Sequence, residues 1–340
     1  MEIESLYYFA EAARELHITR TAQKLHISQQ TLSNHIMRLE EYYGAKLFYR
    51  YPTLQLTSAG KEVLKFAQRI HQEETNLRAL LADTLQSDTG EITVSASSPR
   101  FNYYLPDVLK KFSAKYPNVI IDLIDKTSDD SEMLVQKNQV DFAVTVDTDA
   151  QKLKVNVRAT YDDPVYFCVS DKLLRKYYGD EMYALKEKAF SEGADLKDFS
   201  RLPFLIVSPL GRMGKRIAQC FSEAGYEPNV YLKAGYTTIM APLCNEALAG
   251  CFTSHMNLAR WHYQMNDDVN IFPLCFRGEA VLLKIYVIYS RQRYLNHHCR
   301  YFIDLLEEQF SVIGGEKLKR ISSLDNPPPP SVNLRKDTGV

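Results

Sequence analysis

No stretch of the chain approaches the roughly 20 uncharged apolar residues that a membrane-spanning helix needs. The start, with Glu2 and Glu4, also lacks the basic residues and apolar run of a secretion signal. Both absences point to a cytosolic protein with no membrane partner. Net charge is scarce as well: 41 Lys+Arg stand against 42 Asp+Glu in 340 residues, a formal charge of −1. That balance provides no overall field for nucleic acid. Six cysteines (Cys168, Cys220, Cys244, Cys251, Cys275 and Cys299) are scattered without a C-x-x-C pair, which reads as thiols used as small apolar residues in a reducing compartment. There is no glycine-rich phosphate loop after a strand, no Gly-x-Ser-x-Gly elbow and no His-Glu-x-x-His helix. The expectation is a non-enzyme with no catalytic residue, metal or cofactor.

With 45% hydrophobic and 24% charged residues, the chain is long and apolar enough for about two or three domains. Residues 1–57 read as a bundle of short helices ending in a hairpin. Ile3, Leu6, Phe9, Ala10 and Ala13 recur at helical spacing. Thr19 is positioned to cap a second helix and Ser28 a third. The third carries Leu32, Ile36 and Leu39 inward and ends at Gly44. Its other face holds Gln29, Gln30, Thr31, Ser33, Asn34, His35 and Arg38. A merely solvated face usually carries Glu and Lys; amides and hydroxyls with one Arg suit base edges in a major groove. Lys46 and Arg50 flank a two-stranded wing around Tyr51-Pro52-Thr53.

Thr57 or Ser58 then caps a helix of about 30 residues to about Ser87. Val63, Ala67, Ile70, Glu74, Leu77, Leu81 and Thr84 follow a 4-3 spacing, the seam of a dimerising coiled coil, with packing on the chain's own body as the alternative. From Glu91 strands and helices alternate, as in parallel βαβ units, and form two α/β lobes. A new strand is expected after Pro164, and His297-His298-Cys299 reads as a partly exposed helix start before Tyr301, Phe302, Leu305 and Leu306. Residues 315–340 include Pro327-Pro328-Pro329-Pro330 and read as a disordered tail.

The run Thr21-Ala22-Gln23-Lys24-Leu25-His26-Ile27-Ser28-Gln29-Gln30-Thr31-Leu32-Ser33, followed by Arg38-Leu39-Glu40-Glu41-Tyr42-Tyr43-Gly44-Ala45-Lys46-Leu47-Phe48, Arg50 and Leu56-Thr57-Ser58-Ala59-Gly60, resembles the LysR-type transcriptional regulators. The likeness continues in Leu105-Pro106, Phe112-Ser113-Ala114-Lys115-Tyr116-Pro117 and Asp141-Phe142-Ala143. It implies a winged helix-turn-helix domain (1–57), a linker and dimerisation helix (58–88), and an α/β effector domain of two periplasmic-binding-protein-like lobes. Lobe I would take 91–162 plus 269–312, and lobe II 163–268.

The resemblance places DNA contacts on Gln29, Gln30, Thr31, Ser33, His35, Arg38 and Arg50, and effector contacts on Ser97, Ser98, Thr127, Ser128, Ser208 and Thr237. Hydroxyls and amides near helix N-termini favour an anionic group. The implied partners are double-stranded operator DNA, a small-molecule effector, further copies of the chain as homodimer or homotetramer, and RNA polymerase. A thiol-based redox-sensing regulator is the alternative within this class, and a small-molecule-binding protein of the same two-lobe fold the alternative outside it. The family often has proline where this chain has Gln30, and Lys172–Phe199 is longer than usual.

Overall fold

The computed structural model describes residues 3–51, 53–235, 239–315, 318 and 332–333. The chain divides into two compact units, Met1–Gln86 with Gln292–Asn296, and Ser87–Arg291 with His297–Val340. In the first unit the helices are α1 (Ile3–Glu15), α2 (Ile18–Lys24) and α3 (Gln29–Tyr43). A hairpin of β1 (Phe48–Tyr49) and β2 (Gln55–Leu56) follows, then α4 (Ser58–Thr84). Leu6, Phe9 and Ala13 from α1, Leu32, Ile36 and Leu39 from α3, Leu47 beside the hairpin and Phe48 within it share one buried core. Ser28 caps α3 by accepting the Thr31 N–H, and Gly44 ends it at φ +62°, a left-handed conformation that a side chain would disfavour. The cap of α2 is His17, whose Nδ1 accepts the Arg20 N–H, and Thr19 lies inside the helix. Thr57 caps α4 and also donates to the Lys46 carbonyl at 2.7 Å, tying hairpin to helix.

The seam on α4 divides in two. Val63 and Ala67 are buried in the domain core, so the first turns pack on their own body. Leu77 is 55% exposed and Leu81 47%. Near the helix end, Asn76 donates to the Gln292 carbonyl at 2.7 Å and accepts the Tyr294 N–H at 2.9 Å, while the Tyr294 hydroxyl donates to Asp83 at 2.7 Å.

The second unit runs β3 (Thr89–Ala96), α5 (Ser98–Lys115), β4 (Asn118–Asp125), α6 (Ser128–Gln136), β5 (Phe142–Val146), α7 (Ala150–Leu153) and β6 (Val155–Ser170). It continues through α8 (Asp171–Tyr178), α9 (Met182–Glu192), β7 (Ala194–Asp195), β8 (Pro203–Val207), α10 (Arg212–Ala224), β9 (Asn229–Ala234) and α11 (Met240–Asn245). It closes with β10 (Cys251–Ser254), α12 (His255–Trp261), β11 (Val269–Phe276), β12 (Glu279–Ala280), β13 (Leu282–Ser290), α13 (His297–Gly315) and β14 (Val332–Asn333). In one lobe β3 pairs in parallel with β4 and β5, and β13 runs antiparallel to β5 and to the first part of β6. In the other, β8 and β9 are parallel, and β10 and β11 run antiparallel to the last part of β6. Rings of Phe167, Phe199, Phe204 and Phe252 cluster in the second lobe.

Further expectations need correction. The strand expected to begin after Pro164 is the end of one 16-residue strand, β6, that serves both lobes. The return to lobe I, expected at 269, comes later: Val269–Pro273 of β11 pair with Tyr166–Ser170, so β11 belongs with lobe II and β13 makes the return. An apolar run such as Val269–Phe276 fits either sheet by its own pattern, and only pairing decides. His298 and Cys299 are buried in the α13 stripe, His298 edge-on to Tyr116 with ring centroids 4.5 Å apart. Of the segment expected to be disordered, Leu318 is buried among lobe II apolar residues, and Val332 and Asn333 pair with Tyr161 and Thr160; most of the remainder lies outside the described residues. The long Lys172–Phe199 segment forms α8, α9 and β7, and β7 adds a parallel strand beside β11.

Candidate functional site

On the first unit, six basic residues within 1–57 divide by partner. Arg14 pairs with Glu11 at 2.6 Å, Lys24 with Glu11 and Glu15 at 3.1 and 3.2 Å, and Lys46 with Glu40 at 2.7 Å. Among the described residues Arg20, Arg38 and Arg50 have no acidic partner, and all three are exposed. They lie on α2, on α3 and beside the hairpin. Lys46, which flanks the wing, is held by a buried carboxylate. Burial would raise the Glu40 pKa, but the Lys46 ammonium and the N–H groups of Leu47 and Phe48 outweigh it and hold it below its ordinary value.

Gln29, Gln30, Thr31 and Arg38 are exposed, and Ser33 and Asn34 are half-buried. Gln29 accepts from Thr19 at 2.9 Å, and Gln30 donates to Asn34 at 3.0 Å. The Thr31 hydroxyl meets that of Ser28 at 2.8 Å. These bonds set rotamers while leaving donors and acceptors unused. His35 is turned the other way: its Nδ1 bonds Ser5 of α1 at 2.8 Å and its ring stands edge-on to Tyr8 at 4.9 Å. The arrangement presents a helix edge of amides, hydroxyls and unpaired guanidinium groups of the kind that reads a major groove.

On the second unit a cleft of about 520 Å³ opens beyond the C-terminal ends of β3, β4 and β8, between the two lobes. Ser97, Thr127 and Ser128 line it from lobe I. Ser97 accepts from Arg100 Nη1 at 3.0 Å. Thr127 caps α6 through the Asp130 N–H. Ser128 is buried and accepts the Val146 N–H at 3.1 Å. Ser98 is the first residue of α5, and its side chain lies outside the description. Ser208 follows β8, next to the lining residues Val207 and Gly211, and its Oγ accepts the Leu210 N–H at 3.4 Å. Thr237 falls outside the described residues.

Sequence reasoning passed over the charges in this cleft: Arg100, Lys126 and Arg212 line it together with Asp125, Asp130 and Asp163. Asp163, on β6, accepts the Met256 N–H at 2.9 Å. Burial pushes its carboxyl up to about 6, against the Ser254 side chain, the N–H groups of Met256 and His255, and Arg100. Burial also lowers Arg100, opposed by the fields of Tyr104, Asp163 and Asp147. Arg212 opens α10 and is held by carboxylates of lobe I. A usable signal existed in the sequence: Arg212, Lys215 and Arg216 crowd the first turn of a helix, where its dipole disfavours cations.

The thiols are poorly placed for oxidation. Cys168, Cys220, Cys244, Cys251 and Cys299 are buried and Cys275 is half-buried. Burial pushes Cys220 up to about 11 and raises Cys275. Contact with Cys251 and burial raise Cys244 well above its ordinary value, and contact with Cys168 raises Cys251. A peroxide-reactive cysteine needs the reverse, a stabilised thiolate. Among the described residues no group of His, Cys, Asp and Glu could hold a metal, and no helix is long and apolar enough to cross a membrane.

Comparison with known proteins agrees with this geometry. The family model for the bacterial regulatory helix-turn-helix protein, lysR family, matches residues 3–61, and that for the LysR substrate binding domain matches 85–311. The chain belongs to the LysR family of DNA-binding transcriptional regulators, with an N-terminal helix-turn-helix domain and a two-lobe effector-binding domain. It is 25% identical over 316 residues to the uncharacterized HTH-type transcriptional regulator YcgK of Bacillus subtilis, covering 91% of this chain and 94% of that protein. It is 34% identical over 148 residues to the HTH-type transcriptional regulator cbl of Escherichia coli, 42% of this chain and 46% of that one. In fold it is similar to full-length OxyR from Pseudomonas aeruginosa (TM-score 0.63, 15% identity, 92% and 95% coverage). It is also similar to CbnR crystallised with its target DNA (TM-score 0.52, 18% identity, 91% and 100% coverage). YcgK and cbl are both transcriptional regulators by name.

Proposed function

We propose that the protein reads an operator with Gln29, Gln30, Thr31 and Ser33, with Arg20, Arg38 and Arg50 gripping phosphates and His35 fixing α3 against α1. Copies associate through the uncovered half of α4, and a small ligand carrying an anionic group binds between the lobes near Ser97, Arg100, Lys126 and Thr127. Ligand binding changes how the assembly holds DNA and so the access of RNA polymerase. The observation that carries the DNA reading is charge placement: the three arginines without acidic partners are those on α2, on α3 and beside the hairpin, while the other three basic residues of 1–57 are neutralised within the domain. CbnR, of the same fold, is known in complex with its target DNA.

The test uses a duplex selected from a random pool by the full chain. Arg38→Ala should weaken binding to all duplexes and lower the slope of log K against log salt by about one. Gln29→Ala should mainly relax preference at one base pair, by about 1–3 kcal/mol. Unchanged binding in both variants would show that α3 does not face DNA.

A further inference from the structure

Three basic residues of α10 face three carboxylates of the opposite lobe. Arg212 Nη2 donates to Glu132 at 3.0 and 3.1 Å and to Asp129, and its Nη1 donates to the Asp147 carbonyl at 2.9 Å. Arg216 lies 3.2 Å from the Asp147 carboxylate, and Lys215 lies 3.6 Å from Asp129. Asp129 and Glu132 are on α6 and Asp147 follows β5, all in lobe I; α10 is in lobe II. The contacts thus span the cleft mouth instead of stiffening one lobe.

Several features mark this as a built device. Positions 212, 215 and 216 are i, i+3 and i+4, one face of the helix, at the start of a helix whose first turn has no acidic residue. Cations there work against the helix dipole, so the partners across the cleft account for them. The acceptor side is braced: Thr148 donates to Glu132 at 2.7 Å, and Asp147 accepts the Lys284 N–H at 3.0 Å. Gly214 lets α10 approach, because a Cβ there would lie 2.1 Å from the Ser208 carbonyl oxygen. The grip also carries costs. Asp147 sits at φ +47°, in the left-handed region, and Arg212 Nε is buried without a hydrogen-bond partner. An arrangement with strained and unsatisfied parts, held by ion pairs of which the outer ones are exposed, is poised to release.

We infer that Arg212, with Arg216, is an electrostatic clasp that holds the two lobes together across the cleft, and that opening it admits the ligand. The clasp is independent of what the ligand is. The inner pair, Arg212–Glu132, with Glu132 only 9% exposed, resists salt, whereas Lys215–Asp129, both more than half exposed, is screened by it.

Distances between spin labels at Lys154→Cys in lobe I and Lys233→Cys in lobe II, in the full chain carrying Cys275→Ser, report the lobe separation. Arg212→Gln with Arg216→Gln should shift the distribution to longer distances by more than the width of the parent distribution. Arg212→Gln with Glu132→Gln, which leaves no unpaired buried charge, should do the same, and this guards against local unfolding in the first variant. An unchanged distribution in either Gln variant would overturn the clasp.

Discussion

At Asp163 the backbone and the solvent pull in opposite directions. The carboxylate receives the Met256 N–H at the start of α12, a favourable partner for an anion, yet burial dominates and pushes the group up to about 6. The folded protein therefore binds this proton before the unfolded chain does, whose carboxyl keeps its ordinary value near 3.8. Between those two values Asp163 adds stability as pH falls, and at neutral pH its ionised form costs stability. Asp163→Asn should raise the melting temperature by roughly a few degrees at neutral pH. The gain should shrink as pH drops through about 6, because the parent then becomes neutral too; scanning calorimetry across that range checks it. Arg38 and His35 show how far single residues can be read in advance. Both lie on the polar face of α3, but only Arg38 stays exposed, because the partner that captures His35 is Ser5, thirty positions earlier in the chain. Side-chain type was legible there; orientation depended on a helix packed alongside.

Elements with local punctuation were legible with little error. Ser28 and Gly44 bound α3 because capping needs only neighbours within a turn. The seam of α4 was legible as a spacing, but a spacing does not say what covers it: Val63 and Ala67 go to the domain core, and Leu77 and Leu81 remain exposed. This division makes the association test clean. Leu77→Asp alters an exposed residue outside the core, so it should leave the fold and its melting temperature nearly unchanged while converting the assembly to monomer in sedimentation velocity. A variant that remains associated would move the contact elsewhere. In the second unit the βαβ order was readable from alternating patterns. The assignment of β11 was not, because its apolar pattern fits a strand of either lobe and the pairing to β6 is nonlocal.

For the whole molecule, near-zero net charge is consistent with DNA binding because charge is distributed and not summed. Half of the basic residues in the first 57 are spent on internal ion pairs. The three arginines left per copy make one domain a weak, salt-sensitive binder, so linking copies in one assembly raises affinity through effective concentration. The cleft follows similar logic. With Arg212 engaged by Glu132 and Asp129, Arg100 and Lys126 are the cations left to meet a ligand. Small carboxylates should therefore raise the melting temperature of the full chain in a thermal-shift screen, and cationic amines of similar size should not, since a ligand stabilises only the state it binds. Arg100→Gln should abolish the shift; a shift that survives it would place the anion elsewhere.

β6 gives this domain an unusual mechanics. A cleft hinged on loops bends where the loops are and leaves each sheet undisturbed. Here one strand is stitched to β13 along its first part and to β10 and β11 along its last. Pro164, at the changeover, is the residue within it that has no N–H to offer. A turn of one lobe must therefore wind that strand like a torsion bar, with Pro164 as its weakest rung.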